Sequence, residues 1–89
     1  MASDDDFVAA QERVRRLARQ PTAEELLALY GLYKQATAGN ARGKRPGLLD
    51  LRGRAKFDAW QRLQGQGREA CQREYVELVQ KLEAKYGTQ

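Results

Sequence analysis

The stretch TAEELLALYGLYKQATAGN, residues 22–40, decides the fold class. Thr22 followed three residues later by Glu25 forms a capping box, in which hydroxyl and carboxylate satisfy backbone N–H groups that a helix start leaves unpaired. Leu29, Leu32 and Ala36 recur at helical spacing, and Leu26, Tyr30 and Tyr33 make a second stripe. Two stripes are more apolar surface than one buried face needs. Tyr30, Tyr33 and Lys34 stand at i, i+3 and i+4, so they share a surface. Gly39 and Asn40, both tolerant of left-handed backbone, end the pattern.

Before this helix, Ser3 and the acids Asp4, Asp5 and Asp6 suit the positive end of a first helix. Phe7, Ala10, Val14 and Leu17 continue it at helical spacing, and Pro21 bars it from passing residue 20. After the central helix, GNARGKRPG, residues 39–47, combines three glycines, a proline and three basic residues and reads as a long loop. Asp50 can cap a short third helix to about Leu63, with Ala55, Ala59 and Leu63 at four-residue intervals and Trp60 beside them. GQG, residues 65–67, breaks it. Cys71, Tyr75, Leu78, Val79, Leu82 and Tyr86 follow a fourth helical stripe that stops at Gly87. No segment alternates as a strand does. The expectation is one all-α domain over residues 1–89: four uneven helices, with a long loop between the second and third.

A chain of 89 residues can bury a modest core, and 42% hydrophobic with 31% charged residues is a globular composition. One cysteine and no histidine exclude an internal disulfide, Cys/His zinc sites and histidine-based catalysis. No apolar run is long enough to span a bilayer, and the start MASDDDF is acidic where a signal peptide is basic. The expected setting is therefore intracellular and soluble. The net charge of +4 is uneven: residues 34–62 hold eight basic residues against two acids, a local +6. Such a local excess is either a solvated face or the footprint of an anionic partner.

Taken singly, Tyr30 and Tyr33 read as rim aromatics and Lys34 as surface charge. Together they make an aromatic wall beside a cation, a pairing suited to a ligand with a flat ring and a phosphate. Lys56 in the third helix shares a face with Arg52 and is a second candidate phosphate contact. Arg15 sits among Arg13 and Arg16, where a solvated face is the plainer reading. Phe57 and Trp60 read as anchors of the short helix, Tyr75 as a core tyrosine able to aim its hydroxyl into a polar pocket, and Cys71 as a buried, inert thiol. No catalytic set and no metal-ligand cluster emerge, so the pattern reads as a binder rather than an enzyme.

The motif YGLYKQATAGN followed by KRPGLLDLRGRAKFDAW resembles the acyl-CoA-binding protein family, also called endozepine or diazepam-binding inhibitor. The resemblance extends from Phe7 to the closing KYG at residues 85–87. It implies a four-helix bundle that carries long-chain acyl-CoA esters, with no cofactor, as a cytoplasmic monomer. It implies ligand contacts at Arg15, Tyr30, Gly31, Leu32, Tyr33, Lys34, Lys56 and Tyr75. Adenine would stack on Tyr33, Lys34 and Lys56 would meet the ribose 3′-phosphate, and Tyr30 and Tyr75 would line the site. The acyl groove would include Phe7, Leu26 and Leu27. Against the family pattern, Arg15 replaces a frequent lysine, Phe57 a frequent tryptophan, Gln20 a frequent lysine and Gln11 a small residue. Two competing expectations are a basic helical module for nucleic acid and a precursor of receptor-modulating peptides from roughly Gln35 to Arg54. The nucleic-acid module leaves the phenols unexplained, and the peptide role is a secondary one that the family resemblance implies.

Overall fold

Helix starts fall where the capping residues stand. Thr22 Oγ1 accepts from the Glu25 amide at 3.2 Å, and Glu25 Oε1 accepts from the Thr22 amide at 2.8 Å. Asp50 Oδ1 accepts from the Gly53 amide at 2.9 Å. The computed structural model describes residues 4–89, so the Ser3 cap lies outside the described residues. It contains α1 (Asp4–Val14), α2 (Ala23–Ala38), α3 (Leu51–Gln61) and α4 (Arg68–Tyr86). Gly39 at φ 81° and Gly87 at φ 76° stop α2 and α4 in backbone that only glycine adopts without strain.

One boundary differs from the sequence expectation. Leu17 is buried but is not helical. The chain leaves α1 at Val14 through tight bonds from Arg15 N to Glu12 O and Arg16 N to Arg13 O. Leu17 then pairs as a single antiparallel bridge with Thr88, flanked by Ala18 N to Gly87 O and Gln89 N to Arg16 O, both 2.8 Å. A lone apolar residue three positions past a helix stripe looks the same in sequence whether the helix continues or turns.

The helices pack in a row: α1 on α4, α4 on α2, α2 on α3. Phe7, Ala10, Leu29, Leu32, Ala36, Cys71, Tyr75, Val76, Val79 and Leu82 form the core, with Leu17 joining from the turn. Helix α3 buries no residue fully and rests on α2 alone among the helices. The two approach so closely at Gly31 that a Cβ there would stand 2.7 Å from the Ala59 carbonyl oxygen. Trp60 Nε1 donates to Gly39 O at 2.7 Å and so ties α3 to the end of α2. Phe57 meets Trp60 edge-on at 6.3 Å. Gln35, buried, donates to Asn40 Oδ1 and Gln66 O and binds the same end of α2 to the α3–α4 connection.

Two polar clamps tie sequence-distant ends. Arg13 makes a bidentate pair with Glu83, at 2.7 and 3.1 Å, holding the end of α1 on α4; at this exposure it contributes under about 1 kcal/mol. Glu25 accepts from Tyr86 Oη at 2.6 Å and Lys85 Nζ at 3.0 Å, besides its capping bond. These donors, the Tyr86 hydroxyl foremost, hold the Glu25 carboxyl down at about 2.

A carboxyl held lower in the folded than in the unfolded chain stabilises fully above its unfolded value of 4.5, and that support is lost as pH falls toward 2. Glu25→Gln should therefore lower the melting temperature at neutral pH and flatten its decline between pH 4.5 and 2, read by circular dichroism. An unchanged acid limb would contradict the clamp. Gly31→Ala should destabilise by about 1–3 kcal/mol in urea melts, because the new methyl meets backbone. A gain of about 1 kcal/mol, the helix-propensity effect alone, would show that α2 and α3 stand farther apart.

Candidate functional site

The second stripe of α2 does not enter the core. Leu26 and Tyr33 are exposed and Tyr30 is half-buried, whereas Leu29, Leu32 and Ala36 are buried. The surplus apolar surface noted in the sequence therefore faces outward, where it meets side chains from three other helices.

On one side lie α1 and α4. No Cα of α1 comes within 8 Å of α2, and the two helices meet through the rings of Phe7 and Tyr33, 6.2 Å apart. Below them, Tyr75 of α4 packs edge-on against Phe7 at 5.1 Å, an arrangement worth about 0.5–1.5 kcal/mol beyond its buried area. Tyr75 is 5% exposed, yet among the described residues its hydroxyl has no hydrogen-bond partner and is not a buried unpaired polar atom, so the phenol tip reaches solvent. Burial pushes the Tyr75 hydroxyl above its ordinary pKa, with Tyr33 adding and the Arg15 charge opposing. Arg15 is thus close enough to act on Tyr75, from the turn after α1 rather than from the helix itself. Its guanidinium is solvated and reaches Glu12 only at 3.9 Å.

On the other side lies α3. Lys34 Nζ stands 4.7 Å from the centre of the Trp60 ring, and Lys56 Nζ stands 5.3 Å from the centre of the Tyr30 ring. Among the described residues, neither ammonium has a carboxylate within ion-pair reach. The contrast with Arg45 is informative: it is locked in a bidentate pair with Asp58 at 2.6 and 2.8 Å, which holds the Asp58 carboxyl below its usual range. The structure leaves Lys34 and Lys56 as two cations propped on aromatic faces with their charge uncompensated.

The structure thus brings Tyr30, Tyr33, Lys34 and Lys56 to one outer face, with Tyr75, Phe7 and Arg15 along its α1–α4 edge. Gly31 and Leu32 do not reach that face through side chains: Gly31 is the contact with Ala59, and Leu32 is core. Leu26 precedes Tyr30 by one turn on the exposed side. Leu27 faces instead a groove of about 800 Å³ between α2, α3 and α4. Phe7 and Leu26 do not line that groove. That groove also carries Glu24, Glu74 and Glu77, whose carboxylates oppose an anionic head group. Cys71 is fully buried and burial pushes its thiol up, as an inert thiol requires. The described residues hold no cluster of three or more His, Cys, Asp or Glu side chains placed to bind a metal ion. No described helix is long and apolar enough to cross a membrane.

Sequence reasoning missed Trp60 as part of this face, since Phe57 and Trp60 at i, i+3 look like a packed anchor. Lysine at the fourth position after Tyr30, facing a helix with one tryptophan, was the available signal.

The family model described as acyl CoA binding protein matches residues 4–79. An acyl-CoA-binding protein homolog of Drosophila melanogaster is 46% identical over 82 residues, covering 92% of this chain and 95% of that protein. One of Manduca sexta is 46% identical over 90 residues, covering both chains in full. The solved acyl-CoA-binding protein of Moniliophthora perniciosa superposes with a TM-score of 0.90 at 36% identity, covering 99% of this chain and 87% of that one. Acyl-CoA-binding protein 2 of Oryza sativa gives 0.87 at 36% identity, covering 91% and 88%.

Because Trp60 is the single tryptophan, its fluorescence reports the Lys34 contact directly. Lys34→Ala should change the emission of the ligand-free protein, while Lys56→Ala should leave it close to wild type. Equal changes in both variants would contradict the described placement of the two ammonium groups.

Proposed function

The chain belongs to the acyl-CoA-binding protein family, and from that premise we propose that it holds medium- or long-chain acyl-CoA esters without covalent chemistry. In this reading it is a monomeric cytoplasmic carrier that buffers the ester pool and catalyses nothing. The observation that carries the reading is the pair of uncompensated cations, Lys34 and Lys56, beside the exposed ring of Tyr33.

The chemistry follows from the ligand. Coenzyme A presents an adenine ring, a ribose 3′-phosphate and a pyrophosphate, about four negative charges when each phosphate is fully ionised. A single exposed lysine against a phosphate contributes under about 1 kcal/mol. Two cations converging on one phosphate, beside a ring that takes the adenine face, do considerably more. Tyr33 supplies the ring, and Lys34 and Lys56 take the 3′-phosphate. The emergent phenol of Tyr75 and the guanidinium of Arg15 border the remainder of the head group, and Tyr30 spaces Lys56 from α2. The Gly31–Leu32 backbone belongs to the site only as the segment that sets the Tyr30–Lys34 spacing.

The tail adds the hydrophobic contribution. Phe7 and Leu26 flank Tyr30 and Tyr33 on one side and Leu27 on the other, so apolar surface is available on either side of the head group. At about 0.8 kcal/mol per buried methylene, sixteen carbons could supply up to about 12 kcal/mol, much of it offset by ordering and association costs. Affinity therefore rises with chain length, and free coenzyme A binds far more weakly than its long ester.

Calorimetry with palmitoyl-coenzyme A should show Lys34→Ala and Lys56→Ala each weakening binding by about 1–3 kcal/mol, as loss of a charge-assisted contact does. Both variants binding as wild type would remove the site assignment. Tyr33→Ala should weaken free coenzyme A and its palmitoyl ester by the same factor, since the adenine is common to both. A loss confined to the ester would reassign Tyr33 to the tail.

A further inference from the structure

The loop before α3 carries a feature that ligand binding does not account for. Asp50 N donates to Gly47 O at 3.0 Å, closing a tight turn whose two corner residues are Leu48 and Leu49. Turn corners ordinarily hold Gly, Pro, Asn, Asp or Ser, because corner side chains project into water. Here the corner side chains are leucines, 78% and 101% exposed, and Leu51 at the start of α3 is 75% exposed. Single exposed leucines are ordinary; three within four residues on a projecting tip are not.

The surroundings of this tip are cationic. Residues 42–54 hold five basic side chains, Arg42, Lys44, Arg45, Arg52 and Arg54, against one acid, Asp50. Arg45 is committed to Asp58, and Arg42 donates to Ala38 O at 3.1 Å while keeping its charge. Asp50 is turned back onto the N-terminus of α3, where the helix dipole compensates it. We propose that the Leu48–Leu49 turn is a docking tip for anionic lipid bilayers, the leucines entering the interface while Lys44, Arg52 and Arg54 meet the acidic head groups. The shape favours a bilayer over a protein partner. The tip is convex, and a side chain exposed on every side is accommodated by a medium that closes around it, whereas a protein would need a matching socket. One apolar insertion combined with a basic patch is also the pairing that gives stable yet reversible surface attachment.

The attachment stands independently of the acyl-CoA reading, although its use does rest on it: Arg52 lies one turn before Lys56, so a docked protein would present the head-group face beside the lipid. The test is co-sedimentation of the whole chain, without acyl-CoA, with vesicles of phosphatidylcholine alone or mixed with phosphatidylserine. The wild type should bind the mixed vesicles at low salt and release as salt screens the basic residues. The double variant Leu48→Ser, Leu49→Ser should lose on the order of tenfold or more in partitioning. Its melting temperature and its palmitoyl-coenzyme A affinity should stay at wild-type values, which separates a failed docking tip from a failed ligand site. Absence of wild-type binding at low salt, or equal binding by the double variant, would overturn the proposal. A dimer in sedimentation velocity that the double variant abolishes, with no vesicle binding, would also overturn it and assign the tip to self-association.

Discussion

The approach of α2 and α3 at Gly31 is the contact on which the outer face depends. Helix α3 has no fully buried residue to fix it, and its position follows from how closely it can lie against α2. With the Ala59 carbonyl oxygen only 2.7 Å from where a Cβ of residue 31 would stand, Lys56 comes over Tyr30 and Trp60 comes under Lys34. A side chain at position 31 would separate both pairs at once. The glycine thus serves the face without joining it, as a spacer whose absence of atoms sets the distance between two charges.

The rest of the face is a problem in electrostatics. The basic residues nearest it fall into two kinds. Arg45 and Arg13 are neutralised in bidentate carboxylate pairs and hold loops and helix ends. Lys34 and Lys56 have no such partner among the described residues and rest on aromatic rings instead. A ring lends a cation a modest attraction while leaving its charge available, so the arrangement orients the ammonium groups without neutralising them. The roomier groove on the far side of α2 has the opposite character. Its walls of leucine and alanine are ringed by three acids, Glu24, Glu74 and Glu77, against two bases, Arg62 and Lys81, so it offers no net positive field to a polyanion. Volume and charge thus mark different faces, and the proposed site lies on the one with the uncompensated cations.

Much of the fold was legible because it is written in local physics. The Thr22–Glu25 box, the Asp50 cap, the glycines at 39 and 87 and the stripe from Cys71 to Tyr86 all act within a few residues of themselves. What escaped the sequence was long-range. Arg13 reads as one of several arginines until Glu83, seventy positions away, is folded against it. Glu25 reads as a cap alone until Tyr86 and Lys85 arrive. Leu17 continues a helical stripe but sits in a turn, where the C-terminal tail bonds the backbone of Arg16 and Ala18 on either side of it. For the candidate site, the spacing puts Tyr30, Tyr33 and Lys34 at neighbouring helical positions, and in the fold Tyr33 is exposed while Tyr30 and Lys34 are half-buried. Gly31 and Leu32 stand among the expected ligand contacts through the family resemblance rather than through spacing; in the fold Gly31 is the contact with Ala59 and Leu32 lies in the core.

Amide chemical-shift mapping distinguishes the two faces of α2 most directly. The labelled protein is titrated first with coenzyme A and then with its palmitoyl ester. On the proposed reading, coenzyme A perturbs Tyr33, Lys34, Lys56 and Tyr75, and the ester extends the perturbation to Phe7, Leu26 or Leu27. Shifts centred instead on Glu24, Leu63, Glu77 and Lys81, with the tyrosine–lysine face silent, would contradict it.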